Sequence, residues 1–106
     1  MPDISDRARA VTALRFRALG DETRLRVFET LVDGERCVSD IMNSLGLGQS
    51  LVSHHLRTLR QAGLVTPRRA GREVHYAIAE PALAAVRLAL YELEPLHAGS
   101  EKPGVA

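Results

Sequence analysis

Residues 46–48 of this 106-residue chain read Gly-Leu-Gly, and they separate two short segments of helical periodicity. Upstream, Val38, Ile41, Met42 and Leu45 fall at i, i+3, i+4 and i+7, which places them on one face of a helix starting near Val38 or Ser39. Downstream, from about Gln49 to Gln61, Val52, Leu56 and Leu59 form a second apolar stripe. Two glycines within three residues allow a tight backbone turn. Both stripes can then reach one core while the two helices cross, and that crossing limits the folds available to the chain.

The outward side of the second helix is the next constraint. Ser50, Ser53, His54 and Arg57 share a face at i, i+3, i+4 and i+7, and residues 49–61 contain no acid. A solvated helix face ordinarily mixes charge signs. After Gly63, Leu64-Val65-Thr66 starts a strand. Arg68-Arg69-Ala70-Gly71-Arg72 reads as a hairpin tip, and Val74, Tyr76 and Ile78 alternate with His75, Ala77 and Ala79 as the return strand. Residues 49–76 hold five Arg against one acid, a net of +4, which leaves −3 for the rest of a +1 chain. Such a local concentration of positive charge fits a polyanion.

Two helices precede this unit and one follows it. The first runs from about Ser5 to Leu19, with Ser5 or Asp6 as N-cap, and Gly20 closes it. Asp21 opens the second, whose expected buried stripe is Leu25, Phe28, Leu31 and Val32, ending near Asp33-Gly34. The last runs from about Glu80 to Leu96, with Pro81 at a position that tolerates its missing N–H. It carries one stripe of Leu83, Val86, Leu90 and Leu93 and a second of Ala82, Ala85 and Ala89. One stripe suffices for a surface helix of a monomer, so the surplus predicts packing against a second copy, with Leu83, Val86, Leu90 and Leu93 at the dimer interface. The expected architecture is mainly α with a small β-hairpin wing (α+β): a winged helix-turn-helix of five helices in the order ααααββα. Residues 1–98 would form the domain and residues 99–106 a flexible tail.

In such a fold a short helix braces on the phosphate backbone while the next enters the major groove of duplex DNA. Gln49, Ser50, Ser53 and His54 would meet base edges. Arg57 and Arg60, further along, would meet phosphates, and Arg68, Arg69 and Arg72 would hold the wing against the adjacent backbone or minor groove.

Three stretches resemble the ArsR/SmtB family of repressors. Ala18-Leu19-Gly20-Asp21-Glu22-Thr23-Arg24-Leu25 is similar to the start of that family's second helix. Residues 49–65, QSLVSHHLRTLRQAGLV, resemble its recognition helix and first wing strand, and Gly71-Arg72-Glu73-Val74-His75-Tyr76 its wing return. The resemblance covers about residues 10–96. It implies a homodimer formed by the first and last helices that represses transcription, on an inverted-repeat operator, until an effector binds. At the matching family position His55 would pack or hydrogen-bond within the fold.

Many members release DNA on binding a metal, and two ligand patterns bear on that. Where one pattern has Cys-Val-Cys-Asp, this chain has Cys37-Val38-Ser39-Asp40. Soft ions take several thiolates, and Cys37 is the single cysteine, so Cys37 and Asp40 read as a remnant. At the positions of the second pattern, an Asp-x-His and a His-x-x-Glu or His-x-x-His on the last helix, stand Glu80, Ala82, Leu93 and Leu96. A zinc site needs His, Cys or carboxylate at every corner. No cofactor is expected. Three controls stay open: oxidation of Cys37, a metal held by other ligands (His97, Glu92 and Glu94 lie together near the helix end), or none beyond abundance or a partner protein.

The lone cysteine, the absence of an apolar leader and the lack of a membrane-length apolar run fit a cytoplasmic chain. An enzyme is excluded on motifs: no Gly-rich phosphate loop, His-Glu-x-x-His or nucleophile signature appears, and the sequential Ser53-His54 pair does not make a facing dyad. The competing class is a winged-helix protein–protein adaptor, whose recognition face would expose acids or large apolar groups.

Overall fold

Asp21 stops one helix and starts another. Its carboxylate accepts the Arg24 backbone N–H at 2.9 Å, an N-cap that separates α1 (Ile4–Leu19) from α2 (Glu22–Glu29). A computed structural model of the chain describes residues 4–96. The expected flexible tail and His97 lie outside the described residues. Beyond α2 come β1 (Arg36–Cys37), α3 (Val38–Leu45), α4 (Gln49–Gln61), β2 (Val65–Ala70), β3 (Glu73–Ile78) and α5 (Glu80–Glu92). The five helices and the hairpin are those read from the sequence. The two-residue strand β1 is an addition, and it makes the sheet three-stranded in the order β1-β3-β2.

α3 ends on Gly46 at φ 68°, a left-handed conformation that costs a side chain energy but not glycine. α4 begins three residues later, so α3 and α4 pack closely enough to share one core. Ile41 of α3 and Val52, Leu56 and Leu59 of α4 are fully buried together with Val27, Leu64 and Val65. At a site this enclosed, a Leu→Ala change costs about 2–5 kcal/mol.

Several expected details shift for physical reasons. The buried residues of α2 are Val27, Phe28 and the following Leu31, whereas Leu25 and Val32 are exposed. The inward face is therefore turned by one position and begins at the half-buried Arg24. α1 already includes Ile4, the first described residue, so Ser5 and Asp6 lie within the helix. The hairpin tip is only Gly71-Arg72, because the ladder continues outward through Arg68↔His75, Arg69↔Val74 and Ala70↔Glu73. Gly71 takes φ 64° in this two-residue loop, as the strand twist requires. α5 stops at Glu92, short of the expected Leu96: Leu93 caps it and Pro95 disfavours helix at the residue before it. Val86, expected at an interface, is 7% exposed in the single chain and belongs to its own core, with Ala82 beside it and Leu83 half-buried.

Candidate nucleic-acid interface

α4 presents Gln49, Ser50, His54, Arg57 and Arg60 to solvent, with Ser53 half-buried beneath them. Its first turn holds no acid, and its N-cap, Gly48, gives no side-chain hydrogen bond. The unpaired backbone N–H groups and the positive end of the helix dipole therefore lie on the same side as the Gln and Ser donors, an arrangement favourable to phosphate oxygens. Leu51, 43% exposed and one helical turn before His54, borders this face and was absent from the sequence reading. The surface is built of groups that donate, accept or contact a methyl, which are the chemistries of base edges and phosphates.

The opposite face of α4 is fixed to the body of the protein at two points. His55 is 5% exposed, and its Nδ1 lies 3.3 Å from an Arg24 guanidinium nitrogen. Arginine can only donate, so Nδ1 accepts and the ring is the neutral Nε2–H tautomer. Burial pushes the His55 pKa down; the charge of Asp21 opposes this, and those of Arg24 and His54 add to it. The same Arg24 guanidinium donates to the carbonyls of Ala18 and Arg17 at the end of α1. At the far end of α4, Arg15 Nε donates to the Ala62 carbonyl at 3.2 Å. Two arginines thus bind α4 to α1. The packing of His55 agrees with the expectation; the roles of Arg15 and Arg24 were not foreseen.

The wing lies beside α4, since β2 follows it after Gly63 and Leu64. Its three arginines differ in surroundings. Arg69 and Arg72 are exposed and have no ion-pair partner among the described residues. Arg57 and Arg60 of α4 likewise have none among them. Arg68, expected to meet DNA with them, instead forms a two-pronged pair with Glu35: Nε donates to Oε2 at 3.2 Å and a terminal nitrogen donates to Oε1. That hydrogen bond holds the Glu35 carboxyl below its usual range.

Cys37 is buried at the start of α3 as its N-cap, without a side-chain cap hydrogen bond, and Asp40 is exposed. Among the described residues no group of three or more His, Cys, Asp or Glu is arranged to hold a metal ion. No helix among them is long and apolar enough to cross a membrane.

Large apolar residues are also exposed on the first and last helices. α1 exposes Val11, Leu14 and Phe16, and α5 exposes Leu88, Leu90 and Leu93, the last 72%. Between the two helices run a cleft of about 450 Å³ lined by Val11, Ala85 and Leu88 and one of about 570 Å³ lined by Ala13, Phe16 and Leu93. Leu88 was not in the expected stripe.

Comparison with known proteins agrees with this geometry. Residues 21–66 match the family model described as the bacterial regulatory protein, arsR family. The chain is 37% identical over 97 residues to the HTH-type transcriptional regulator NmtR of Mycobacterium tuberculosis, an alignment covering 91% of this chain and 81% of that protein. It is 42% identical over 72 residues to the HTH-type transcriptional repressor SmtB of the same species, covering 68% of this chain and 53% of the relative, so it spans only about half of that protein. Among solved structures it resembles a homodimeric winged helix-turn-helix DNA-binding domain of Mycobacterium bovis, with a TM-score of 0.73 at 30% identity, covering 92% of this chain and 94% of that one. These relatives are regulators and not enzymes. The chain belongs to the ArsR family of bacterial helix-turn-helix transcriptional regulators.

Proposed function

We propose that this chain is a transcriptional repressor that binds an inverted-repeat operator as a homodimer. The observation that carries the reading is the acid-free exposed face of α4, joined to the free Arg69 and Arg72 of the wing and tied through Arg15 and Arg24 to α1. Gln49, Ser50, Ser53 and His54 read base edges, and Leu51 is placed to meet a thymine methyl. Arg57, Arg60, Arg69 and Arg72 neutralise phosphates. The exposed apolar residues of α1 and α5 join two copies, so each α4 is carried on a shared platform and the spacing of the half-sites follows from the dimer. The relative of known structure is described as homodimeric. The target is duplex DNA, and the protein acts in the cytoplasm. An adaptor role is disfavoured by the lack of acids on α4, where Leu51 is the one exposed large hydrophobic residue.

We further infer that neither family metal pattern operates here. Of the four positions of the last-helix pattern, Ala82, Leu93 and Leu96 carry alkyl groups, which cannot ligate, and Ala82 is buried in the core. Cys37 offers one thiol per chain.

The test is fluorescence anisotropy on a DNA fragment from upstream of this protein's own gene, in chelator, across a salt series. Zinc, nickel, cadmium and arsenite are then added separately, and an oxidant after them. Tight, salt-sensitive binding indifferent to all four ions is the expected result. Release by one ion would show that a metal site exists with other ligands. Binding no tighter than to random DNA, there and on other promoter fragments, would favour the adaptor.

A further inference from the structure

The wing is fastened to the body of the protein by a pair of charges spanning the sheet. Arg68 lies in β2, one edge strand, and Glu35 immediately precedes β1, the other. Their two-pronged contact therefore passes over the central strand β3 at His75, the cross-strand partner of both Arg68 and Cys37. His75 sits within the same group: its Nδ1 is 3.9 Å from the Glu35 carboxylate and its Nε2 3.4 Å from that of Glu73. β1 supplies only two rungs, at Tyr76 and His75, so the rungs beyond them toward the tip have no neighbour on that side. Arg68 stands at the His75 rung, where the three-stranded part of the sheet ends and the free hairpin begins, and Glu35 reaches it from the end of β1 away from the tip.

We propose that Glu35 is a positioning residue for the wing: its pair with Arg68 sets the angle of the hairpin relative to α4, and Arg68 acts on DNA through that angle rather than by touching a phosphate. Phosphate contact then falls to Arg69 and Arg72. Successive residues of a strand point to opposite faces, so Arg69 lies on the side of β2 away from Glu35, and Arg72 is at the tip. A fork-to-carboxylate pair defines direction better than a single contact does. The hydrogen bond from Arg68 lowers the Glu35 pKa, so the carboxyl is ionised at neutral pH. Exposed ion pairs contribute little to global stability, and the effect is accordingly local.

The consequence for DNA rests on the repressor reading, and the experiment separates the two. The full chain is compared with Glu35→Gln, with Arg68→Gln, and with the double variant Glu35→Arg/Arg68→Glu, which keeps the net charge. Amide hydrogen exchange across residues 65–78 is measured without DNA, and binding to the tightest promoter fragment is followed against salt. Both single variants are expected to speed wing exchange and to weaken binding by about two- to fivefold, with the salt slope unchanged. The double variant is expected to restore both. The proposal is overturned if Arg68→Gln lowers the salt slope by about 0.9, the signature of one lost phosphate contact, while Glu35→Gln binds as tightly as the parent. It is equally overturned if wing exchange is the same in both single variants and the parent. If the parent chain binds no DNA, the exchange arm alone decides the brace, and the loss counts against the repressor reading.

Discussion

Arg24 lies on the inward stripe of α2 with Val27, Phe28 and Leu31 at i+3, i+4 and i+7. An apolar-only periodicity passes over a charged residue in such a stripe and selects Leu25 and Val32 instead, both of which are exposed. The polar interior could not be read for the same reason: Arg24 is accommodated only because the end of α1 offers carbonyls and α4 offers His55. His55 gives a pH prediction of definite sign. Its folded pKa is lowered, so the unfolded chain takes up the proton first as pH falls. Stability is then level above the ordinary histidine range, declines from about pH 6.5 downward by at most about 1.4 kcal/mol per unit, and levels again below the folded pKa. Urea unfolding at pH 7.5, 6.5 and 5.5 should show this added acid sensitivity in the parent and lose it in His55→Gln, which keeps an acceptor for Arg24. Equal pH dependence in both would contradict it. On the outer face of α4, Arg57→Ala should weaken binding to all duplexes and reduce the salt slope by about 0.9. Gln49→Ala should leave the slope alone and remove about 1–3 kcal/mol of discrimination between operator and random DNA. Binding titrations on both duplexes over a salt series would expose any exchange of these roles.

At the scale of elements, α4 was legible to both its ends, Gln49 and Gln61, because glycines bracket it and its two faces differ in chemistry. The strands of the wing were legible by alternation, but their length was not: Arg68 and Arg69 belong to β2, and only pairing with His75 and Val74 reveals this. β1 has two residues and therefore no period to detect. Glu35 could not be picked out for a related reason, since its partner lies 33 residues away across a sheet whose third strand was invisible. The Gly-Leu-Gly break was legible as a turn, yet its two glycines do different things. Gly46 has φ 68° and Gly48 φ −76°, and an added Cβ meets nothing within 4 Å at either. Space is thus equal and backbone conformation alone differs. Gly46→Ser should cost about 1 kcal/mol. Gly48→Ser, at a position where a hydroxyl can cap α4, should be neutral or stabilising by a few tenths of a kcal/mol. Chemical denaturation of the two variants side by side checks the contrast; equal losses would show that the turn is not governed by φ.

For the molecule as a whole, the surplus apolar surface of the last helix was the legible sign of self-association, but its division between core and interface was not. Val86 and Leu90 are four residues apart and looked equivalent in a stripe; the structure buries Val86 in the protomer and leaves Leu90 about half exposed. Ala82 and Val86 join the protomer core, Leu88 and Leu93 line the clefts beside α1, and Leu90, about 200° around the helix from Leu88, is exposed on another side. A charge at each position should therefore fail differently. Val86→Glu places an unpaired carboxylate in the core and should lower stability by several kcal/mol or prevent folding. Leu90→Glu should leave the circular dichroism spectrum and the protomer core intact, yet separate the dimer, because two copies would set carboxylates against an apolar surface. Operator binding then loses the advantage of two linked half-site contacts, worth about 10²–10⁴-fold, while binding to random DNA falls less. Light scattering together with anisotropy on operator and random duplexes reads each part. A Leu90→Glu protein that remains dimeric would place the interface on another surface. A monomeric one that still binds the operator as tightly as the parent would mean that dimerisation does not set the spacing of the recognition helices.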